Sequence, residues 1–337
     1  MAEGIWLRFL SGPEIESLGL TRTEIVDAVE EAVRDHGEGQ TSFEPRVHLV
    51  PDNGGIGHFN VLRGHLNRLG AHGVSGVKVV GDFVPNYQVG LPSELAVATL
   101  FDPTTGVPMA ILDATMITAA RTGAMTTVGA RHLARRDSKI LGHAGSRGTA
   151  WWNVTMLDDL FDLDEIRVTS RRPESREKFA EELSAELSTP VRVVVSAEEA
   201  FDGADVIVEA TRLNEPEVLL RTAAVKPGAF VVPYGTVSAV ELDLLDVIDK
   251  VVVDDWREAQ SGRFGSLRRH VDTGRLSPET LHAELGQIVA GAKPGRETDA
   301  ERTLLWHRGL SLLDVAIAHL ILRRAEESEV GTMLRFH

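Results

Sequence analysis

The feature that most constrains the fold of this chain is an alternation of short β-rich runs with helical patterns that begins near residue 137. The β-rich runs are "KILGHAG", "EIRVTS", "VRVVV", "DVIVEAT", "AFVVPYG" and "KVVVDD", and helical stretches such as "PESREKFAEELSAEL" separate the early ones. Strands that alternate with helices are typical of a parallel sheet with crossover helices. We therefore predict an α/β fold with a doubly wound parallel sheet in this part of the chain.

The residues on either side of this part predict a second structural region. Before it we expect helices over "TRTEIVDAVEEAVRDHG" and "MITAARTGAMTTVGARHLA", strands over "GIGHFNVLRGHL" and "GVSGVKVVGDF", and a hairpin over "LAVATLFDPTTGVPMAILD". After it, the polar residues 261–300 are predicted to be helical, and "TLLWHRGLSLLDVAIAHLILRRAEE" is predicted to form one long helix. The 337 residues are enough for two domains.

Composition argues against several classes of protein. The formal net charge of −15 argues against a general surface for nucleic acids or anionic membranes, because such a surface needs a basic face. The absence of cysteine excludes disulfides, thiolate zinc sites and a cysteine nucleophile, and it fits a cytoplasmic protein. The N-terminal residues show no signal-peptide pattern. No metal is expected, because metal-ligand spacing is missing from His58, His65, His72, His132 and His307.

A glycine-rich turn, "GHAGSRGTA" at 142–150, joins the first strand of the alternating part to a helix. Such a turn places backbone N–H groups and a helix N-terminus against a diphosphate. Arg147 stands where the G-x-G-x-x-G spacing has its second glycine, and its guanidinium is expected to contact a phosphate. The residues predicted to hold the cofactor here are Gly142, Gly145, Ser146, Arg147, Gly148 and Thr149. The turn alone is equally compatible with a plain surface connection.

The end of the second strand of the alternating part bears on which dinucleotide is bound. An acidic residue there usually accepts the ribose hydroxyls of NAD. This chain has Ser170 at that place, followed by Arg171 and Arg172. A hydroxyl and two guanidiniums suit a 2′-phosphate, so NADP(H) is favoured, although NAD(H) is retained as an alternative. The pair of arginines is also compatible with a solvated basic strand end.

Across most of its length the sequence resembles the ornithine cyclodeaminase/μ-crystallin family of NAD(P)-binding proteins. The matching stretches are "EPRVHL", "GVKVV", "NYQVGLPSE", "LFDPTTGVPMAILDATMITAARTGA", the glycine turn, "GADVIVEAT", "VKPGA", "VVVDD" and "GLSLLDVA". The resemblance implies a substrate-binding and dimerisation domain of α+β type, residues 1–128 plus 305–337. It also implies an inserted Rossmann domain, residues 129–304. A homodimer is expected, with a small amino, imino or keto acid as its partner molecule.

The resemblance also implies roles for individual residues. Arg46, Lys78 and Arg121 match the basic positions of the family, where two arginines grip the substrate carboxylate and Lys78 carries a proton. The resemblance places Thr122 near the cofactor phosphates at the start of its helix. It places Thr211 after the fourth strand of the parallel sheet, where such sheets meet the nicotinamide half of the cofactor.

Two departures from the family separate this chain from its cyclodeaminases. The resemblance implies an aspartate after the fifth Rossmann strand, where this chain has Gly235, and an acidic residue near the substrate amino group, where it has Asn60. By the same positions, Asn60 is predicted to contact the substrate and Gly235 the cofactor. Losing such a general acid–base group costs about 10²–10⁴ in rate each time. Gly235→Asp is therefore expected to restore a trace of ammonia release. Tyr234 and Tyr87 are alternative proton donors, although each also suits a packing role.

Three functions remain open at this point. The leading hypothesis is an NADP(H)-dependent oxidoreductase acting on a small imino, keto or amino acid, of the imine reductase or amino-acid dehydrogenase type. The first alternative is a cyclodeaminase-type ammonia lyase that recycles NAD+. The second alternative is a non-catalytic protein that binds NADP(H) and a ligand.

Overall fold

The computed structural model describes residues 4–52, 54–262 and 264–337, and within them the chain forms two compact units. The terminal unit combines the residues up to Arg121 with Leu310–His337, and the central unit is Thr122–Gly309. Both boundaries lie a few residues from the domain limits expected from the sequence. Each unit is built on one sheet, with eight strands among the described residues.

The terminal unit begins with a strand, two helices and a run of further strands. These elements are β1 (Trp6–Leu10), α1 (Gly12–Ser17), α2 (Arg22–Gly37), β2 (Thr41–Phe43), β3 (Val47–Leu49), β4 (His58–Leu66), β5 (Val74–Asp82), β6 (Glu94–Phe101), β7 (Pro108–Asp113) and α3 (Thr115–Leu133). α2 begins at a capping box in which Thr21 and Glu24 bond each other's backbone N–H groups. In the β6–β7 turn, the Asp102 carboxylate accepts the N–H groups of Thr104 and Thr105. The elements predicted before residue 133 are confirmed.

The central unit is the predicted parallel sheet with crossover helices. Its elements are β8 (Ile140–Ala144), α4 (Ala150–Leu160), β9 (Glu165–Thr169), α5 (Pro173–Glu186), β10 (Val191–Val193), α6 (Ala197–Phe201), β11 (Val206–Glu209), β12 (Phe230–Pro233), β13 (Lys250–Val253), α7 (Trp256–Gln260), α8 (Arg268–Asp272), β14 (Ala283–Glu284), α9 (Leu285–Val289) and β15 (Thr303–Trp306). The strand order is β10-β9-β8-β11-β12-β15-β13-β14, and neighbouring strands are parallel. The order reverses between β8 and β11, and this point is where doubly wound sheets bind ligands.

The prediction of one long helix over 303–327 is wrong in its first part. Thr303–Trp306 forms β15, which lies between β12 and β13 and is buried along its whole length. A short apolar run of this kind does not by itself distinguish a strand from a buried helix. Gly309, with φ of 89°, interrupts the backbone before the helix starts at Ser311.

The prediction of helix over 261–300 is also largely wrong. The described part of this segment contains only the short helices α8 and α9, the two-residue strand β14, and turns. Gly262, Gly265, Gly274 and Gly291 all have positive φ. Such residues end helices, because the left-handed conformation cannot continue a right-handed one.

The chain returns to the terminal unit through α10 (Ser311–Glu327) and β16 (Thr332–Arg335). The order of that sheet is β16-β1-β7-β6-β5-β4-β2, and β3 pairs with the first half of β4, on the same edge as β2. α10 packs on β4 and β5 and covers one face of the sheet. Among the helices of the described residues, none combines the length and the apolar character needed to cross a bilayer.

Candidate active site

One face of the terminal sheet carries the predicted substrate-binding side chains. The antiparallel register places Lys78 of β5 opposite Leu62 of β4, and cross-strand partners point to the same face. Extended by one residue, the β3–β4 register places Arg46 on the other side of Leu62. Asn60 lies two residues from Leu62 along β4 and shares its face. Three residues predicted from distant motifs, Arg46, Asn60 and Lys78, are therefore brought to the same face.

α10 presents an aspartate to Lys78 on this face. The Lys78 ammonium donates to Asp314 Oδ1 at 2.5 Å and to Thr118 Oγ1 at 3.1 Å. Arg121 Nε lies 3.6 Å from the same Asp314 oxygen. Lys78 and Asp314 are each 2% exposed and Arg121 is 8% exposed. These four residues, called the Lys78 cluster below, form a buried group with two cationic side chains and one anionic side chain.

Burial controls the protonation of Lys78. Loss of hydration lowers its pKa to about 8, the carboxylate of Asp314 opposes this change, and the guanidinium of Arg121 adds to it. A lysine with this pKa exchanges its proton close to neutral pH, which a surface lysine does not do. The Lys78 cluster is therefore able to bind a carboxylate and to give or take a proton.

Asp314 was not among the site residues predicted from the sequence, although it lies within one of the stretches that match the family. The available signal was a carboxylate within "GLSLLDVA", because acidic side chains are almost never buried without a partner. The partner, Lys78, is 236 residues away in the chain.

In the central unit, the glycine turn connects β8 to α4 as predicted. Gly145 has φ of 118° and Gly148 has φ of 59°, conformations that favour glycine. A Cβ on Gly142 would lie 2.2 Å from the carbonyl oxygen of Ala200, so glycine here allows β8 to pack closely against α6. The turn lies beside the point where the strand order reverses. A narrow turn with the first helical N–H groups behind it fits a diphosphate.

Arg147 occupies the turn without backbone strain, since Glu329 is the only non-glycine residue with positive φ in the described part of the chain. Arg147 Nη2 donates to Ser175 Oγ, in the first turn of α5, at 3.4 Å, which brings it next to the connection between β9 and α5. Ser170 and the exposed Arg171 and Arg172 belong to this connection.

A further arginine of this region was missed by the sequence analysis. Arg176 Nη1 donates to the backbone carbonyl of Ser170 at 3.3 Å. Its position one helical turn after Arg172 was the available signal. Arg147 and Arg176 therefore both donate hydrogen bonds beside the exposed Arg171 and Arg172, where a ribose 2′-phosphate is expected.

A buried carboxylate fills the space beside Gly235. Oε1 of Glu209 accepts the N–H of Thr211 at 2.9 Å and also its hydroxyl, and Oε2 accepts the Ser266 hydroxyl at 2.6 Å. A Cβ on Gly235 would lie 2.6 Å from both Glu209 oxygens. Burial raises the pKa of Glu209, although these hydrogen bonds oppose the change. The end of β11 therefore supplies a carboxylate where the end of β12 has no room for a side chain.

The structure corrects the position predicted for Thr122. α3 begins at Thr115, so Thr122 lies in the interior of this helix and not at its start. Its backbone N–H therefore points along the helix to a carbonyl four residues earlier and is not one of the N-terminal donors available to a phosphate. Thr122 is 5% exposed.

The two tyrosines differ in their surroundings. The Tyr234 hydroxyl shares a hydrogen bond of 2.7 Å with Thr149 Oγ1 and accepts one of 2.9 Å from Asn153. These bonds tie the end of β12 to the start of α4. Tyr87 lies in a 3₁₀ turn, Val84–Val89, and is 42% exposed.

Comparison with known proteins places these features in a family. The profile of the ornithine cyclodeaminase/mu-crystallin family matches residues 8–329. The alanine dehydrogenase of Archaeoglobus fulgidus is 32% identical over 330 residues, which cover 97% of this chain and 98% of that protein.

Two solved structures have nearly the same fold. An archaeal alanine dehydrogenase dimer with bound NAD has a TM-score of 0.89 and 30% identity, and the match covers 99% of this chain and 100% of that one. The Thermococcus litoralis Δ1-pyrroline-2-carboxylate reductase, in complex with NADH and L-proline, has a TM-score of 0.89 and 30% identity over 97% of this chain and 99% of that one. The resemblance, the α/β fold class and the class of NAD(P)-dependent oxidoreductases predicted from the sequence are confirmed.

Proposed function

The chain belongs to the ornithine cyclodeaminase/mu-crystallin family, and we propose that it is an NADP(H)-dependent oxidoreductase acting at the α-carbon of a small amino, imino or keto acid. The observation that carries this proposal is the Lys78 cluster. It combines a buried arginine with a buried lysine whose pKa is about 8. Such a pair suits a substrate that carries a carboxylate and exchanges a proton near neutral pH.

Each part of the chain has a separate task in this reaction. The nicotinamide supplies or accepts the hydride. Arg121, with Arg46 on the same sheet face, binds the substrate carboxylate, and Lys78 holds the proton that the substrate gains or loses. The glycine turn holds the cofactor diphosphate. The relatives described above as an alanine dehydrogenase and a Δ1-pyrroline-2-carboxylate reductase support reactions of this type.

The test is a panel of small amino, imino and keto acids assayed with NADPH and NADP+. An oxidoreductase changes the nicotinamide absorbance steadily, in proportion to substrate converted. A cyclodeaminase would release ammonia from ornithine without a steady change in absorbance. A binding protein would show saturable binding of cofactor and ligand with no turnover of either kind. Either of these last two results would contradict the proposal.

Cofactor choice is the first expected outcome. Removing the two exposed guanidiniums with Arg171→Ala and Arg172→Ala should weaken NADPH binding by about tenfold to a hundredfold, because each contact with a 2′-phosphate is charge-assisted. NADH affinity should hardly change, since NADH lacks that phosphate. Fluorescence titration of both nucleotides measures the effect.

The control for cofactor choice is Lys178→Ala, which removes an exposed cation farther along α5. It should leave both affinities unchanged. Wild-type protein that binds NADH as tightly as NADPH would contradict the preference for NADP(H).

We also propose that the protein is a homodimer, paired through the sheet face opposite to Lys78. The register places Val61, Val79 and Val97 side by side on that face, and Val97 is 45% exposed. An open apolar face of this kind is typical of an interface. The alanine dehydrogenase of the comparison is itself described as a dimer.

The expected result is that Val97→Asp dissociates the dimer, because it buries an unpaired charge in the interface. Light scattering at micromolar concentration measures the mass. Val195→Asp, at a valine that is 67% exposed in the central unit, is the matched control and should leave the mass unchanged. A wild-type monomer would refute the proposed dimer.

We retain a cytoplasmic location as part of the proposal. Its support is the absence of cysteine, which suits a reducing compartment.

A further inference from the structure

Three buried polar atoms, two in the Lys78 cluster and one on the same sheet face, have no hydrogen-bond partner among the described residues. They are Asp314 Oδ2, Asn60 Oδ1 and Arg121 Nε. Buried polar atoms without partners are rare in folded proteins, because each costs the desolvation of its group. Two of these atoms accept hydrogen bonds and one donates. Together they suit a ligand that brings its own donor and its own acceptor.

The two oxygens of Asp314 have different surroundings. Oδ1 accepts from Lys78 at 2.5 Å and faces Arg121 at 3.6 Å, whereas Oδ2 is the oxygen without a partner. Only one of the two carboxylate oxygens of Asp314 therefore takes part in the pairing with Lys78. Its second oxygen is an anionic acceptor inside a buried site, where charge-assisted hydrogen bonds are strongest.

The charges of the Lys78 cluster indicate which substrate group donates a hydrogen bond to Asp314 Oδ2. Arg121 matches a substrate carboxylate, and the acceptors match hydrogens on the neighbouring α-nitrogen. When Lys78 is neutral, Arg121 and Asp314 leave the cluster with no net charge, which suits a zwitterionic amino acid. A keto acid offers no donor to either oxygen, and a hydroxy acid offers one hydrogen without positive charge.

We propose that Asp314, through its free oxygen, accepts the N–H of the substrate α-nitrogen and so selects amino and imino acids over keto and hydroxy acids. This proposal rests on the proposed function, which supplies the carboxylate-bearing substrate. Asn60 adds a second acceptor on the same sheet face. An acidic residue was expected near the substrate amino group but was not found at the matching position of the sequence. Asp314 provides that anionic group from α10.

The test compares ligands that differ only in the nitrogen. L-proline is paired with cyclopentanecarboxylate and L-alanine with propionate, each titrated calorimetrically into protein saturated with NADPH, because an amino acid cannot be oxidised while the reduced nucleotide is bound. Wild-type protein should bind the amino acid at least about tenfold more tightly than its nitrogen-free partner. Asp314→Asn should remove about tenfold or more of amino-acid affinity, and it should leave the affinity for the simple carboxylate unchanged or tighter.

Two further variants separate this role from a purely structural one. Asp314→Glu keeps the charge and should restore part of the preference for the amino acid. Thr118→Val removes the neutral acceptor of Lys78 and should change both ligands of a pair by the same factor. NADP+ affinity, measured for every variant, reports that the chain is folded.

The pH profile adds an independent readout. The charged groups that face Lys78 are Asp314 on α10, Arg121 on α3 and Glu94 on β6, and Arg46 lies on the same sheet face. Because Asp314 raises the pKa of Lys78, Asp314→Asn should move the Lys78-dependent limb of kcat/KM about one pH unit or more to lower pH.

The outcomes are distinct. An Asp314→Asn variant that loses both ligands of a pair equally would overturn the proposal and leave the proposed function intact. Wild-type protein that binds neither the amino acids nor the simple carboxylates would remove the proposed function as well.

Discussion

Replacing Lys78 by alanine is expected to reduce turnover by about 10²–10⁴-fold, the usual contribution of a positioned general acid or base. Lys78 is buried and bonded to Asp314 and Thr118, and burial brings its pKa to about 8. NADPH affinity should be retained, because Lys78 belongs to the terminal unit and the glycine turn to the central unit. Initial rates and a nucleotide titration on the same sample measure the two effects.

Lys78→Arg distinguishes a role of Lys78 in proton transfer from a role in binding the substrate carboxylate by its positive charge. Arginine keeps the positive charge but does not release its proton near neutral pH. If Lys78 carries the proton, this variant should be nearly as slow as Lys78→Ala. Lys78→Arg with a rate close to the wild type would show that the lysine only binds the carboxylate.

The pH dependence of the wild-type enzyme should show the same group. Reduction needs the protonated ammonium, so its rate should fall as the pH rises through about 8. Oxidation needs the neutral amine, so its rate should rise over the same range. A rate that stays flat between pH 7 and pH 9 in both directions would contradict a role for Lys78 as proton carrier.

Gly235→Ala is expected to lower the free energy of unfolding by about 1–3 kcal/mol, as overpacking of a full site does. The added Cβ would lie 2.6 Å from both oxygens of Glu209 and 2.8 Å from the Thr211 carbonyl oxygen. Gly235→Asp should be more damaging, since it adds a second carboxylate beside a buried one. Denaturant unfolding measures the stability.

This expectation replaces the one drawn from the sequence, in which Gly235→Asp restores a trace of ammonia release. The structure leaves no space for that aspartate. A double-mutant cycle isolates the contribution of Glu209, because Glu209→Ala removes the two carboxylate oxygens that a Cβ at 235 would meet and leaves the Thr211 carbonyl oxygen in place. Gly235→Ala should cost much less in the Glu209→Ala background. Equal costs in both backgrounds would show that the collision with Glu209 is not the reason.

Local sequence patterns were enough to predict the class of the fold and many residues of the candidate site. The alternation of strands and helices after residue 137 predicted the parallel sheet, because a period of two or of 3.6 residues is set by the backbone itself. The glycines of 142–148 and the arginines after β9 were equally visible, since a turn and a strand end each occupy a few consecutive residues. Lys78 and Arg121 were located by family motifs that cover unbroken stretches of sequence.

Local patterns failed where the environment of a segment decides its structure. "TLLW" is a strand because β12 and β13 leave a space between them, and the same four residues would also suit a buried helix. Thr122 was placed at the start of its helix by the family resemblance, although the residue pattern predicted a helix that begins at Met116, and α3 begins at Thr115.

The chemistry of the site was decided by the tertiary structure. Asp314 meets Lys78 across 236 residues of sequence, and Ser266 meets Glu209 across 57. The sequence determined which ionisable groups the chain carries and which strands and helices present them. Only folding determined which of them are buried together. That burial lowers the pKa of Lys78 and leaves one oxygen of Asp314 without a partner, and close packing around Glu209 excludes a side chain at Gly235.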